Sequence, residues 1–582
     1  MNCRCKATLP DTSLAQSGPV YFPTTYLQTF LMLSILIALS SLTADVTLPA
    51  IFNDHMVLQR DKPLAFWGWA DAGEEVTVSI GANKVTYKSD NMGGWKVKLP
   101  AMKHGGPHQV RIQGKNTLEL KDVLVGEVWI CSGQSNMEWS MGAVNNSGEE
   151  IKNAEYPNIR LFHVPKVPSA KPARDVNAIW KPCSPANVRG FSAVAYFFGR
   201  KLHKDLDIPI GLIGSSWGGT RIEPWTTPEG FAAVESLKDF LKPDPNSEER
   251  FRAMRKTFLH NIIKKIKEHV PQEKTEEDDL EVEAEEDELA NLIPQPKDPQ
   301  LGNARRMEKW MPLAEKALDA NKPFPALKGG WPRGWPNLPP SSSAGAGTPT
   351  ALYNGMVYPL VPFALRGAIW YQGESNLRDG MMYHEKMKAL IAGWRHVWND
   401  QAMPFLFTQL APFRYGGSNP ELLPRIWEAQ NATLKVPHTG MAVITDIGNT
   451  RDIHPRNKQD VGARLALWAL SQTYGKELVY SGPLYREMKV DRNRIKVSFD
   501  HSAGLTSSDG KELTHFQVAG KDGAFQDAKA VVEGNSISVS APAVANPVAV
   551  RFGWHHEAEP NFVNGAGLPA SPFRTDDWPL SE

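Results

Sequence analysis

Residues 123–141 read VLVGEVWICSGQSNMEWSM and decide the fold class of this 582-residue chain. The first nine are mostly apolar, which is typical of a strand buried on both faces of a parallel sheet. The polar turn Gly133–Met137 follows, and Ser135 stands where the strand gives way to a helix. In open α/β sheets the carboxyl ends of the strands line the ligand crevice. This stretch therefore predicts a parallel α/β sheet with Ser135 at its functional edge.

Further apolar runs follow this stretch and alternate with segments of helical periodicity, such as 193–206 and 460–475. The runs are IPIGLIGSSW (208–217), ALRGAIWYQ (364–372), MPFLFTQLAP (403–412) and TGMAVITDIG (439–448). Buried strands that alternate with helices are typical of a parallel sheet covered on both faces. We therefore predict one α/β domain, split between 123–236 and 351–475.

The segments outside this pattern predict three further regions. Short alternating runs predict an N-terminal β-sandwich at 45–122, acting as a scaffold or binding sugar directly, and a C-terminal β module at 476–582. Between them, 237–350 lacks strand-like apolar runs and contains the acidic run Glu273–Glu288 and the Pro/Gly/Ser-rich stretch Lys322–Thr350. Runs of like charge are usually solvated, so we expect this insertion to lie mostly outside the central sheet.

The composition indicates a globular protein with a small neutral partner. Basic and acidic residues number 64 each, and hydrophobic residues make up 41% of the chain. Nothing in this balance suggests a disordered or nucleic-acid-binding protein, so no nucleic-acid partner is expected. Only two of the four cysteines, Cys131 and Cys183, follow the N-terminal segment. Two are too few for a disulfide framework, so we expect buried thiols.

The N-terminal segment contains one apolar run, Phe30–Leu42, of 13 residues. Crossing a bilayer takes about 20 apolar residues, so the run is typical of a signal-peptide core rather than of a stable membrane span. Small residues follow it, and we expect a signal peptide (1–44) that ends near Ala44. The part before the run is unusually long, which leaves Met32 as an alternative start. This pattern predicts a secreted or periplasmic protein.

Ser135 needs partners to act as a nucleophile, because a hydroxyl is activated by a neighbouring base and by donors that hold the oxyanion. Alone, a serine at a strand end is more typical of a helix N-cap. Three other strand ends offer partners: glycines in 214–220, an amide in 372–376 and an imidazole in 451–455. Histidine is the side chain best suited to shuttle a proton near neutral pH. The four turns together predict serine-based catalysis at one sheet edge.

These blocks resemble, in type and order, the carbohydrate-esterase branch of the SGNH hydrolases, the family that includes the sialate O-acetylesterases. The resemblance covers about Leu48 to Asp576, and its most specific part is WICSGQSNMEWSM (129–141). Two runs outside the site, LYNGMVYPL (352–360) and GLPASPFRTD (567–576), are also similar to that family. The resemblance implies an SGNH-type three-layer α/β domain with a parallel sheet.

The resemblance also implies roles for individual residues, with Ser135 as nucleophile and His454 as base. Oxyanion donors are expected from the glycine block and from a side-chain amide, namely Gly218 or Gly219 and Asn376. Polar side chains of the same turns are expected to contact substrate, namely Gln134, Arg221, Gln372 and Glu374. Arg221 is the candidate for a sialic acid carboxylate, with a structural role as the alternative. No HExxH or other metal spacing occurs, so neither a metal nor a cofactor is expected.

The group that orients His454 is left open by the sequence. Many SGNH enzymes have an aspartate three residues before the histidine, but Arg451 occupies that position here. Asp452, two residues before the histidine, can reach the ring if the loop is extended, or it can cap the loop through the backbone. Asp446 is the competing carboxylate, and a Ser–His dyad oriented by a backbone carbonyl is the third alternative. We predict Asp452.

The resemblance implies a secreted carbohydrate O-acetylesterase that acts through a serine acyl-enzyme. Its expected substrate is an O-acetylated sialic acid within a sugar or glycan, and an acetylated polysaccharide such as xylan is the alternative substrate. A noncatalytic carbohydrate-binding protein, with two β modules around a decayed esterase core, is the alternative from another class. The intact Ser135, Asn376 and His454 argue against that alternative.

Overall fold

The computed structural model describes residues 45–242, 247–270, 299–320, 322, 324–328, 330–336 and 344–580. The expected signal peptide (1–44) and the acidic run Glu273–Glu288 lie outside these ranges, as does part of the Pro/Gly/Ser-rich stretch. Among the described residues, no helix has the length and apolar character needed to cross a bilayer.

The N-terminal region is built from short, mostly antiparallel strands. Its strands are β1 (Val57–Gln59), β2 (Leu64–Trp69), β3 (Glu75–Ile80), β4 (Asn83–Lys88), β5 (Gly94–Leu99) and β6 (Gly105–Gln113). One sheet pairs β2 with β5, and another runs β4–β3–β6. Val76, Val78 and Ile80 alternate along β3 and are buried, as expected where one face covers a core and the other meets solvent.

A single long strand, β7 (Thr117–Gly133), joins this region to the central sheet. Its first half pairs antiparallel with β6, and its second half lies inside the parallel sheet. The expected domain boundary at 122/123 therefore falls within one continuous strand rather than in a linker. Burial changes at this point, because exposure alternates up to Asp122 and every residue from Val123 onward is buried.

The central sheet has β7 in its middle. The strands that join it are β8 (Tyr156–His163), β9 (Trp180–Cys183), β10 (Ile210–Ser216), β11 (Gly367–Tyr371), β12 (Phe405–Thr408) and β13 (Thr439–Ala442). Their order is β13–β12–β11–β7–β10–β8–β9, parallel except for β9. The chain fills one side of β7 first and then crosses to β11, so the strand order reverses between β7 and β11. Ligands bind at the carboxyl ends of such a reversal point.

Helices cover the sheet and confirm the α/β class. They are α1 (Ser135–Glu138), α2 (Ser147–Lys152), α3 (Pro185–Val188), α4 (Ala193–Leu206), α5 (Pro228–Ala232), α6 (Ser247–His269), α7 (Pro299–Asp319), α8 (Met382–Trp398), α9 (Leu422–Thr433) and α10 (Lys458–Trp468). Short 3₁₀ turns occur at Met141–Ala143, Glu223–Trp225, Glu235–Leu237, Tyr358–Leu360 and Glu374–Asp379, and π turns at Tyr353–Val357 and Ala469–Thr473. Side-chain caps begin α4 at Ser192 and α10 at Asn457. The thiols of Cys131 and Cys183 are free and buried, as predicted.

The insertion at 237–350 contributes two long helices, α6 and α7, and no strand among its described residues. The helices share a small core of their own, which includes Phe258, Ile262 and Trp310. Amphipathic helices that bury their apolar faces against each other need no place in the sheet.

The C-terminal region is a β module with a separate core. Its strands are β14 (Leu484–Asp491), β15 (Arg494–Asp500), β16 (Thr506–Ser507), β17 (Phe516–Ala519), β18 (Gln526–Asp527), β19 (Lys529–Glu533), β20 (Ser536–Ser540), β21 (Ala549–Phe552), β22 (Phe562–Val563) and β23 (Phe573–Arg574). Two antiparallel sheets, β14–β15–β20–β19 and β18–β17–β21–β23, enclose side chains such as Val497, Val518 and Phe552. Ion pairs from Arg551 to Glu421 and from Arg574 to Glu428 tie the module to the start and middle of α9.

Candidate active site

The turn after β7 presents Ser135 at the reversal point of the sheet. Gly133 has a φ of 141°, and a side chain there would meet the carbonyl oxygen of Tyr371 at 2.1 Å. Only glycine allows the two strands to approach this closely. The next backbone N–H, that of Gln134, donates to the same carbonyl at 3.0 Å. Ser135 then opens α1 and remains half-buried.

His454 lies beside Ser135, although 319 residues separate them in the chain. Its Nε2 is 2.9 Å from Ser135 Oγ, a hydrogen-bonding distance. The indole of Trp139 stacks on the imidazole with 4.8 Å between ring centroids and 13° between planes. Burial lowers the pKa of His454, the charge of Lys458 lowers it further, and Asp452 opposes them. The ring is therefore neutral near pH 7 and able to accept a proton.

Of the two carboxylates considered for orienting His454, Asp452 is the one near the ring. Its Oδ1 accepts the backbone N–H of His454 at 2.9 Å and lies 3.9 Å from Nδ1. The second distance is too long for a hydrogen bond, so Asp452 caps the loop and faces the ring as a charge. Asp446 instead binds the guanidinium of Arg464 through both oxygens, each at 2.6 Å.

The glycine block lies against the Ser135 turn. A side chain at Gly218 would place its Cβ 3.2 Å from Ser135 Cβ. The Gly218 N–H donates to Glu138 Oε2 at 2.6 Å, and the same carboxylate forms an ion pair with Lys166. Gly219 is exposed and has a φ of 74°. One expected oxyanion donor is thus already occupied by an anionic oxygen of the protein.

The expected role of Asn376 as an oxyanion donor conflicts with its contacts. Its side chain is fully buried, and its Nδ2 donates to Glu223 at 3.2 Å and to Asp379 at 2.6 Å. Its Oδ1 accepts from the backbone N–H of Ile222 and from Gln372. Both amide hydrogens are used, so an oxyanion would have to break an existing bond to a carboxylate.

Arg221 contacts the same carboxylates from a partly exposed position, with 43% of its side chain exposed, and Arg221, Glu223, Asn376, Asp379 and Lys386 form what we call the ion-pair cluster. Arg221 donates to Glu223 and Asp379, and also to the carbonyl of Ser375. Lys386 Nζ reaches Glu223 at 2.7 Å and Asp379 at 2.6 Å. Arg221 and Lys386 share these two carboxylates, so the charges balance within the cluster and the contacts favour the structural alternative for Arg221.

The side chains of the three other residues expected to contact substrate, Gln134, Gln372 and Glu374, also bind other protein groups. Gln134 Oε1 accepts the backbone N–H groups of Gly373 and Ser375 at 3.4 and 3.3 Å, which ties two strand-end turns together. Gln372 is fully buried and binds Thr220, Asn376 and Tyr383. The carboxylate of Glu374 accepts from Asn136 at 2.6 Å. These contacts join the strand-end turns to one another.

A second buried cluster, Lys458, Asn136 and Glu374, was not predicted and is called the lysine cluster below. Lys458 is fully buried, and its Nζ donates to Asn136 Oδ1 at 2.5 Å. Burial lowers the pKa of Lys458 to about 7 and raises the pKa of Glu374. Asn136 lies in the motif itself and could have been considered, but nothing in spacing or composition marks a lysine at the start of α10.

One group of described residues has ligand atoms close enough to share a metal: His555, His556 and Glu557, within 4.8 Å of one another. Arg414 forms an ion pair with Glu557 at 2.6 Å. The arginine already balances the carboxylate charge that a cation would need. This group gives no support to a metal centre.

The chain is similar to known carbohydrate esterases over most of its length. The family model for carbohydrate esterases described as sialic acid-specific acetylesterases matches residues 125–265 and 344–470. The sialate O-acetylesterase of Rattus norvegicus is 30% identical over 528 residues, covering 83% of this chain and 84% of that protein. The sialate O-acetylesterase of Homo sapiens is 27% identical over 575 residues, covering 90% and 91%.

The chain is also similar to a carbohydrate esterase of solved structure. A carbohydrate acetylesterase from Xanthomonas citri has a TM-score of 0.71 and 34% identity, covering 92% of this chain and 100% of that chain. The chain therefore belongs to the carbohydrate esterase family of sialic acid-specific acetylesterases, and it is a carbohydrate acetylesterase.

Proposed function

We propose that Ser135 attacks the acetyl carbonyl of the substrate while His454 takes the proton from its hydroxyl. The 2.9 Å contact between Ser135 Oγ and His454 Nε2 is the observation that supports this proposal. The Oγ–C bond forms as the carbonyl electrons move onto oxygen, and collapse of that intermediate expels the sugar hydroxyl, which receives the proton from His454. Water activated by the same ring then releases acetate and restores Ser135.

The proposed oxyanion donors are the backbone N–H groups of Ser135 and Gly218. Ser135 opens a helix, and the first N–H groups of a helix have no acceptor within it. The Gly218 N–H already binds one anionic oxygen beside Ser135, that of Glu138. Gly218 is only partly buried and lies against Ser135, unlike the fully buried Asn376, so we interpret this carboxylate as an internal stand-in that the carbonyl oxygen of the substrate displaces. Gly219 is the alternative donor, whereas the contacts of Asn376 make it part of the scaffold.

Asp452 is the proposed partner of His454, acting through its charge rather than through a hydrogen bond. A carboxylate near Nδ1 stabilises the imidazolium that forms when Ser135 loses its proton. The 3.9 Å separation and the bond to the His454 backbone support both this effect and a role in holding the loop. The pairing of Asp446 with Arg464 speaks against Asp446 as the partner.

The proposed substrate is an O-acetylated sialic acid, and the proposed architecture is of the SGNH type. The curated relatives are named for sialate O-acetylesterase activity, which supports this substrate over others. The order of the serine, glycine, amide and histidine turns supports the architecture. The N-terminal apolar run supports secretion or export to a periplasm. Acetylated xylan is the second candidate, since the relative of solved structure is named only for carbohydrate acetylesterase activity.

The test is acetate release by the purified chain from a panel of O-acetylated sialic acids and from acetylated xylan. The Ser135→Ala variant is the matched control, because the half-buried Ser135 can lose one oxygen without a change in the apolar core. We expect release from the sialic acids that the control abolishes. Release from xylan alone would assign the second substrate, and release from neither would contradict the proposal.

A further inference from the structure

The lysine cluster links the Ser135 turn to the His454 loop. Asn136 immediately follows Ser135, and its Nδ2 donates to the carbonyl of Ile453 at 3.0 Å. Ile453 immediately precedes His454, so one side chain spans from the serine turn to the histidine loop. Lys458 holds the other end of that amide at 2.5 Å. The positions of nucleophile and base therefore depend on a shared buried contact.

Lys458 has no carboxylate within hydrogen-bonding distance among the described residues. Its Nζ donates to a neutral amide oxygen and lies 5.2 Å from the ring centroid of Tyr371. A buried ammonium is costly unless it is paired, so the lysine exchanges its proton near neutral pH. The groups that act on it are Glu374, Asp452 and His454, and burial is the largest effect.

We propose that Lys458 is a positioning residue of the esterase: through Asn136 it couples the Ser135 turn to the His454 loop, and its buried charge keeps the imidazole free to accept a proton. The proposal rests on the catalytic roles of Ser135 and His454 given above. It adds a residue that touches neither substrate nor nucleophile and acts through its neighbours.

The charge of Lys458 makes His454 harder to protonate, and the order in which the two groups titrate gives the expected change in the rate profile. As the pH falls towards mild acidity, Lys458 acquires its charge first, because its pKa is about 7. That charge then opposes protonation of His454. Burial also lowers the pKa of His454, and Asp452 only partly offsets the two effects. The base form of His454 therefore persists below the usual imidazole pKa of about 6.5. Removing the lysine should move the acid limb of the rate profile to higher pH.

The test uses three variants and p-nitrophenyl acetate, an ester that reports the chemistry without depending on the sugar. Lys458→Met removes both the charge and the donor, whereas Lys458→Gln removes the charge and keeps an N–H donor. Lys386→Met is the matched control, a buried lysine of the ion-pair cluster that touches neither Ser135 nor His454. Profiles of kcat and kcat/KM against pH are measured for each variant and for the unaltered chain, with folding checked by thermal unfolding.

We expect the midpoint of the acid limb of kcat/KM to shift to higher pH by about half a pH unit or more in both Lys458 variants. In Lys386→Met the midpoint should not shift. We expect kcat at the plateau to fall about tenfold or more in Lys458→Met and less in Lys458→Gln, because only the first loses the tether. An unmoved acid limb in folded Lys458 variants would overturn the proposal.

The unaltered chain provides a check that does not depend on a folded variant. An acid limb at or above the usual histidine pKa of about 6.5 would also overturn the proposal. Failure of the proposed function looks different, because the chain would then release no acetate from any sugar ester whatever its pH profile on p-nitrophenyl acetate.

Discussion

Two buried lysines lie at the carboxyl edge of the sheet in contrasting surroundings. Lys386 meets two carboxylates, Glu223 at 2.7 Å and Asp379 at 2.6 Å. Lys458 meets one neutral amide, that of Asn136. A buried charge that is fully paired fixes a geometry, whereas a buried charge without a counterion shifts its own proton equilibrium and those of its neighbours.

This contrast distinguishes a cluster with a structural role from a cluster that lies beside Ser135 and His454. In the ion-pair cluster every charged group has an opposite charge beside it, which suits a structural role. In the lysine cluster Glu374 Oε2 has no hydrogen-bond partner among the described residues. The pKa values of Lys458 and Glu374 are shifted towards the neutral forms, whereas those of Arg221 and Glu223 in the ion-pair cluster are shifted towards the charged forms. Groups of this kind concentrate at functional sites. Ser135 and His454 lie next to the lysine cluster, as that rule predicts.

Ser135→Ala should give the largest effect. We expect turnover of p-nitrophenyl acetate to fall by about 10⁴-fold or more, because loss of the nucleophile removes the covalent route. The free energy of unfolding should stay unchanged, since Ser135 is half-buried at a turn. Steady-state rates and urea unfolding measure the two quantities. Appreciable turnover at the active site of the folded variant would remove Ser135 from the mechanism.

Asn376→Ala tests whether the ion-pair cluster is only a scaffold. The change leaves Glu223, Asp379 and Gln372 each short of a buried hydrogen bond. We expect the free energy of unfolding to fall by about 3 kcal/mol or more. Turnover per folded molecule should change much less. Unchanged stability together with a loss in kcat of about 10²-fold or more would instead restore Asn376 as an oxyanion donor.

Asp452→Asn and Asp446→Asn test the orienting group on the side of the lysine cluster. We expect Asp452→Asn to lower kcat by about 10- to 100-fold, short of the roughly 10⁴-fold known for a buried triad aspartate, because the carboxylate is half-exposed and 3.9 Å from the ring. Asp446→Asn should leave kcat nearly unaltered, since Asp446 binds Arg464. Steady-state rates at one pH distinguish Asp452 from Asp446 as the partner of His454. Inhibitor affinity serves as the control for an intact loop. Near-normal turnover in Asp452→Asn would favour a dyad.

Among the substitutions expected to change activity, Glu138→Gln should have the smallest effect, and its sign should be opposite. An amide oxygen binds the Gly218 N–H more weakly than a carboxylate does, so the substrate should displace it more easily. We expect kcat/KM to rise by about 3- to 5-fold, equivalent to about 1 kcal/mol. A fall of more than about tenfold would indicate instead that Glu138 holds the glycine block in its active position.

The sequence predicted the elements that depend on local periodicity. The apolar second half of β7, followed by GQSNM, indicated a buried parallel strand and a functional serine, and the α/β class is confirmed. The insertion has no strand-like runs, and its described part folds as α6 and α7 outside the sheet. Because the carboxyl ends of parallel strands lie at one edge of a sheet, the sequence also predicted that Ser135 and His454 are neighbours. Their side chains are 2.9 Å apart in the structure. The family assignment rested on the same motifs.

The sequence could not say which way each polar side chain at that edge would face. Gln372 and Asn376 follow their strand much as Ser135 follows β7, yet they point into the protein and bind buried groups. Lys458 resembles any lysine that begins an amphipathic helix, and its partner Asn136 lies 322 residues away. Local sequence therefore determined the strands, the turns and the place of Ser135 at the sheet edge. Only the tertiary structure decided which polar groups pair with each other and which remain available for chemistry, because burial and hydrogen-bond partners come from segments that are distant in the chain.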